Sequence, residues 1–536
     1  MLLTSFKAFQ HFRTAGASRR TRFVRQSSAE VLESRVMLSA TLWVDHATPS
    51  AYQTIQAAVN AATAGSTILV APGIYPEAVT VSTKGLTIRG GQIHVRGETG
   101  PSIVETSGVA FTLEANNILL GRFTILPPGN SLGSGGVQIT AGSGDTVQNS
   151  LIESESVGIT VATASNTILS NELQDCSVGI SVTGSANSIT SNLVDASSGD
   201  GISVDTTGST TVGQNTVEDG AAEGIVITSG STTTVTGNTV ENNQGTGIDI
   251  TDSTGSVVVQ QNKVPSNMVN GILIQSALTA TVTGNVTDGN QGGGIVVDAS
   301  TATVISNTAD DNNGFGLFVF GGATATLKNN STNNNVLTGV DLGMTSLILS
   351  CNVSNGNGGH GYFIVTGSET ITGNTANSNA ANGLQLQGGP GTISGNTTND
   401  NTGGGGFAAG LFIANGIQAK GPTITNNTAS GNANDGIILF ELAHAVCSGN
   451  VANGNKYDGI EAFEAINDTI SHNTTRGNLN DGIQADSNST DNVFSHNTAF
   501  DNSVYDLQDE STGTGTDGTD NTWIDNAAHT TDPTGI

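Results

Sequence analysis

The chain has 536 residues and a formal net charge of −29, with 71 glycines, 4% aromatic residues and 11% charged residues. That profile lacks the long aliphatic side chains of a compact globular core, and so acidic a body repels nucleic acid and anionic membranes. It fits an elongated repeat of short strands and tight turns, in which each layer is buried on its neighbours.

The first 40 residues differ from the rest. Lys7, Arg13, Arg19, Arg20, Arg22, Arg25 and Arg35 stand there against Glu30 and Glu33. The N-terminus has no apolar stretch of the signal-peptide kind, and no run in the chain is apolar enough for a transmembrane helix. Leu32-Glu-Ser-Arg-Val-Met-Leu-Ser-Ala40 resembles the LEPR-x-LL segment near the N-terminus of many planctomycete surface and secreted proteins, with Ser34 in place of the motif's proline. The resemblance implies a targeting segment over 1–40 and an extracellular or cell-surface location.

Residues 41–130 read as a capping helix and first coils. Ile55, Ala58, Val59 and Ala62 share one face of a helix over 52–62, placed to plug the open end of a solenoid. Ser66 to Glu77, ending Pro-Gly-Ile-Tyr-Pro-Glu, and Lys84 to Gly90, containing Thr-Ile-Arg-Gly, follow as strands.

From Gly136 a pattern of Gly, apolar, any, apolar returns at steps of about 21 to 24 residues, as in Gly201-Ile-Ser-Val204 and Gly247-Ile-Asp-Ile250. Period-two alternation predicts a strand with one buried face. About 13 residues after each glycine stands an Asn, from Asn149 and Asn171 through Asn238 and Asn285 to Asn497 and Asn526, preceded at three residues by an apolar residue. Stacked one per coil, such Asn amides can donate to one coil and accept from the next, and Asn tolerates the left-handed backbone of a sharp turn. The fold expected is all-β, a single-stranded right-handed parallel β-helix of roughly 17 to 20 coils. Its repeats fill 131–505, with a swollen coil near 403–421 and a terminal turn and flexible tail over 506–536. Cys176, Cys351 and Cys447 are too far apart to bridge and read as small core fillers. A monomer is expected.

The helix, the PGxYxE strand and the TIxG strand together resemble the opening of the pectin lyase-like superfamily. That resemblance implies the β-helix fold and a polysaccharide or cell-envelope glycan as partner, without fixing an activity. Its enzymes act on anionic sugars and need cationic side chains, but from 136 onward only Lys263, Lys328, Lys420, Lys456 and Arg476 occur. The polygalacturonase motifs are met in part, by Asp310-Asp311 and Gly359-His360-Gly361. No Asn-Thr-Asp precedes them and no Arg-x-Lys follows. His360, Asp341, Asp310 and Asp311 are the candidate catalytic groups.

The position two after each repeat glycine points outward, yet reads apolar over its middle. Phe318, Phe320, Phe363 and Phe412, with the carboxylates Asp249 and Glu461, are the expected sugar contacts, since exposed aromatic rings suit stacking on sugars. Asp435, Asp458 and Asp481 precede repeat glycines and should stack, a candidate Ca²⁺ cage, with Glu441 and Glu464 nearby. His472 and His496 also stack. A purely structural or adhesive solenoid is the competing expectation, and it predicts no cleft, a uniform acidic surface and no activity.

Overall fold

A computed structural model describes residues 40–91, 100–129, 131–403, 409–414 and 420–536. The targeting segment expected over 1–40 therefore lies outside the described residues, apart from Ala40. One coil shows the plan. After Gly224, face A is the strand Ile225–Thr228, face B is Thr232–Thr236 and face C is Thr239–Glu241. Each strand pairs in parallel with its counterparts one coil away: Ile225 with Ile202 and Ile248, Thr234 with Thr211 and Val258, Val217 with Val194 and Val240. Ile225, Ile227, Val235 and Val240 point inward and are buried, and the same columns continue as one core along the chain.

The solenoid has about 21 turns, more than the glycine count gives. The difference lies at the N-terminal end. Thr41–Val44, Thr67–Val70, Thr87–Arg89 and Leu119–Gly121 stack in register as face B, without the glycine signature. The expected helix runs Ile55–Ala61, shorter than read. Thr54 caps it, and the Glu77 carboxylate of the Pro-Gly-Ile-Tyr-Pro-Glu segment accepts the N–H groups of Ile55 and Gln56 at 2.7 and 2.9 Å. That satisfies donors a helix start leaves open, so this motif ties the helix to the first strands.

Between faces B and C runs the Asn column. Asn285 Nδ2 donates to Asn307 Oδ1 and to the Val259 carbonyl, both at 2.9 Å, and its main-chain N–H reaches the same Asn307 oxygen. Both amide roles are filled, so the polar side chain is buried without an orphan group. Asn149 is not a rung. Ser150 holds that register, donating its N–H to Asn171 Oδ1, while Asn149 is exposed. Nor do the ladder residues supply the left-handed backbone: the residue just before each does, as at Ser170, Gln214, Asn329, Cys351 and His472. That position faces outward, which explains why Cys351 is exposed while Cys176 and Cys447 are buried.

A second ladder, not anticipated, lies five residues further on, between face C and the next face A. Asn243, Asn267, Asn290, Asn312 and their successors to Asn502 repeat the same bonds. Adjacent coils come close at the repeat glycine with or without this ladder. A Cβ on Gly201 would strike Val217 and the Gly224 carbonyl oxygen, which is why that position stays glycine. The C-terminal stretch read as a tail continues the solenoid: Leu507–Asp509 pairs with Ile483–Ala485, Thr522–Ile524 with Val493–Ser495, and Leu507 and Gln508 with Thr531 and Asp532.

In the middle coils faces A and B merge. Ile272–Thr283, Ile295–Ile305, Leu317–Lys328, Val340–Ser350 and Tyr362–Thr372 are single long strands. Register shifts at Ile274/Ala277, Asp298/Thr301 and Phe320/Gly322 mark bulges where the corner would be.

Candidate functional site

The outer side of face A carries three parallel lanes. The residue before the repeat glycine forms the first, the residue two after it the second, and the residue four after it the third. Register fixes the second lane as one column, Asp249, Leu273, Val296, Phe318, Asp341, Phe363, Gln385, Phe412, Ile438, Glu461 and Gln484. The column expected from the sequence therefore exists.

Its centre is aromatic. Phe315, Phe318 and Phe320 cross all three lanes of one coil, with ring centroids 5.4 and 4.6 Å apart. One coil on, Asp341 follows Phe318; one further, Phe363 follows Asp341, with His360 5.6 Å away in the first lane. Phe318, Asp341 and Phe363 are all half-buried. The Asp341 carboxyl makes no hydrogen bond or ion pair, and burial alone raises its pKa.

Phe412 is a correction. It is 8% exposed and packs with Ala409 and the fully buried Ile438 in a second apolar cluster, separate from the main core. Asp249 and Glu461 occupy the second lane but lie three coils before Phe318 and six coils after it, as the register shows. The Asp249 Oδ1 atom is buried without a partner, and burial, then Glu223 and Asp200, push its carboxyl up to about 6. Burial, then Asp486 and Glu510, push Glu461 up to about 7.

The catalytic candidates do not come together as a group. Asp310 and Asp311 follow Thr308 on face C, beyond a corner and in the coil of Phe315, two coils before His360. Asp310 is tied up structurally: its carboxylate accepts the Asn333 N–H at 2.6 Å and the Ser331 hydroxyl. It is the second rung of a short outer ladder that starts at Asp288 and continues through Asn333, Asn355 and Asn377. Asp311 is exposed at a left-handed turn position. His360 Nδ1 accepts the Asn382 N–H at 3.2 Å, and burial lowers its pKa, so the ring is neutral and carries its proton on Nε2.

The first lane explains His360 and the stacked aspartates at once. Each acceptor there takes a main-chain N–H from the next coil: Asn270 from Gly293 at 2.8 Å, Asn382 from Ala409 at 2.6 Å, Asp435 from Asp458 at 2.8 Å, Asp458 from Asp481 and Asp481 from Tyr505 at 2.7 Å each. The three aspartates are rungs of this column, not a converging oxygen cage. Among the described residues no group of three His, Cys, Asp or Glu side chains is arranged to hold a metal ion, so the geometry gives the expected Ca²⁺ no cage. Burial first, then Asp458 and Glu461, push Asp435 up to about 8. Burial likewise pushes Asp458 to about 7 and Asp481 to about 6, against the hydrogen bonds that lower them. His472 and His496 stack with ring planes 3° apart.

Sequence reasoning picked out the first-lane aspartates and third-lane Phe320 but missed Phe315 and Thr338 in the first lane. The signal was present, since Phe315 precedes Gly316 as His360 precedes Gly361.

A family model described as right handed beta helix region matches residues 76–217, 135–287, 200–353, 270–410 and 370–528. The chain belongs to that right-handed β-helix family. No curated protein matches it. Among solved structures it is similar to the Dettilon tailspike protein, at 12% identity and a TM-score of 0.34, covering 61% of this chain and 66% of that one. It is also similar to the PL6 family alginate lyase AlyGC, at 11% identity and a TM-score of 0.32, covering 91% of this chain and 98% of that one. A third is the catalytic unit of an alpha-1,3-glucanase from Streptomyces thermodiastaticus, at 15% identity and a TM-score of 0.28, covering 68% and 61%. No helix among the described residues is long and apolar enough to cross a membrane.

Proposed function

We propose that the outer side of face A, from Phe315 to Gln387, binds a polysaccharide chain outside the cell. The observation that carries this is the aromatic bar Phe315–Phe318–Phe320, with Phe363 two coils beyond, on a straight strand face. Sugar rings present apolar faces that stack on such side chains and hydroxyls that need polar partners at the edges. Asp341, Gln385 and Gln387 stand beside the rings in neighbouring coils. Coils rise ~4.8 Å apart, so an extended chain along the axis meets each coil in turn.

The test is binding of neutral, acidic and basic glycans on an array, followed by affinity electrophoresis with the strongest. Binding should weaken about tenfold or more in Phe318→Ala and Phe363→Ala, the scale of one well-packed aromatic contact. An array without binders favours the spacer solenoid instead.

A further inference from the structure

We infer that the ligand of this face carries a protonated amine, and that Asp341, between Phe318 and Phe363, seats that ammonium group. The inference rests on the polysaccharide reading and names the sugar class: a polymer of amino sugars with free amines, as opposed to a uronate or sulfated chain.

Three observations converge on Asp341. Its carboxyl is half-buried yet makes no hydrogen bond and no ion pair, so its acceptor oxygens are open to an incoming group. Register places an aromatic residue on each side of it, Phe318 in the preceding coil and Phe363 in the next. A carboxylate flanked by aromatic rings suits a cation, because the ring faces attract positive charge and the carboxylate neutralises it. Among the described residues no ion pair occupies Asp341. From Asp200 to Gln508 none of the three lanes contains Lys or Arg, and the nearest titratable base, His360, is held neutral by the Asn382 N–H on its Nδ1.

The surroundings select the same ligand sign. Along the lanes Asp298 lies two coils before Asp341, and Asp249 and Glu461 lie further out on the two sides. A polyanion meets repulsion along this whole face, while a polycation is drawn to it. Docking an ammonium also draws Asp341 toward its charged form, against the burial that raises its pKa.

The experiment is titration calorimetry of the full chain with three hexasaccharides: glucosamine, N-acetylglucosamine and galacturonate. Two salt concentrations, at a pH where the amines are charged, complete it. The glucosamine hexamer should bind about tenfold tighter than its acetylated form at low salt, and the galacturonate hexamer should not bind. Asp341→Asn should erase that preference while the thermal transition stays in place. Phe363→Leu, which changes no charge, should shrink the preference several-fold. Equal or tighter binding of the acetylated hexamer, or a preference that survives Asp341→Asn, overturns the inference and leaves the polysaccharide reading standing. Failure of all three hexamers to bind, alongside an array without binders, removes both.

Discussion

The middle coils and the C-terminal coils use the same backbone frame for opposite purposes. In the first lane, Asn270, His360 and Asn382 accept main-chain N–H groups with neutral side chains; from coil 435 onward Asp435, Asp458 and Asp481 make the same bonds with carboxyls. The bond needs an acceptor, and it does not need a charge. The aspartates therefore add buried acidity where Asn would suffice, and Asp458 Oδ2 is left buried without a partner. The second lane differs too: aromatic and half-open around Phe318, with Glu461 between Ile438 and Gln484 toward the end. One frame thus carries a surface suited to ligands in the middle and a titrating column toward the end.

The largest effect should come from breaking the frame itself. Asn285→Leu leaves the Asn262 N–H and the Val259 carbonyl without partners in a dry core, at a cost on the order of 3 to 5 kcal/mol. Chemical unfolding would measure it. A cost below about 1 kcal/mol would show that the ladder is decorative.

The next effect separates the two regions by pH. Burial raises the carboxyls of Asp435, Asp458, Asp481 and Glu461 in the folded chain to about 8, 7, 6 and 7, from ordinary values of 3.8 for Asp and 4.5 for Glu. The folded chain then binds more protons than the unfolded one between pH 4 and 8. Their contribution is fully present below about pH 4 and is lost as pH rises through the range 6 to 8. Stability should fall by at least about 3 kcal/mol over that range. In hydrogen exchange, residues 435–510 should lose protection before residues 272–350, which precede the buried Glu369, itself raised to about 7.

A smaller change sharpens the cause. Asp458→Asn installs the side chain the middle coils use, so it should raise stability at pH 8 by about 1 to 3 kcal/mol and change little at pH 4.5. Thermal melts at the two pH values decide it, and destabilisation at both would refute the shared-acceptor account. The smallest effect is expected for His360→Asn, which keeps an acceptor toward Asn382. It should shift stability by less than about 1 kcal/mol.

How much of this was legible in the sequence follows from period and register. Gly201-Ile-Ser-Val204 shows a strand with one buried face because alternation is local, and the Asn column shows stacking because its spacing is nearly constant. Phe318, Asp341 and Phe363 were foreseeable as neighbours for the same reason. Three features were hidden. Asn149 was one residue out of register with Ser150, a slip that spacing cannot detect when two polar residues are adjacent. Phe412 shares its lane with Phe318 but is covered, and its covering depends on tertiary packing with Ala409 and Ile438. Asp310 and His360 look like partners along the chain, yet the corner at Asn312 sends them to different faces. The second Asn ladder was readable, five residues after the first, but one column had already satisfied the pattern.

The central claim is that binding resides in the middle coils and the stacked column of titrating aspartates in the C-terminal ones. The most direct test compares glycan affinity for the wild-type chain, Phe318→Ala/Phe363→Ala and Asp458→Asn at one pH. The account predicts loss in the first variant and wild-type affinity in the second. Equal affinity in all three, or loss on Asp458→Asn alone, would contradict it.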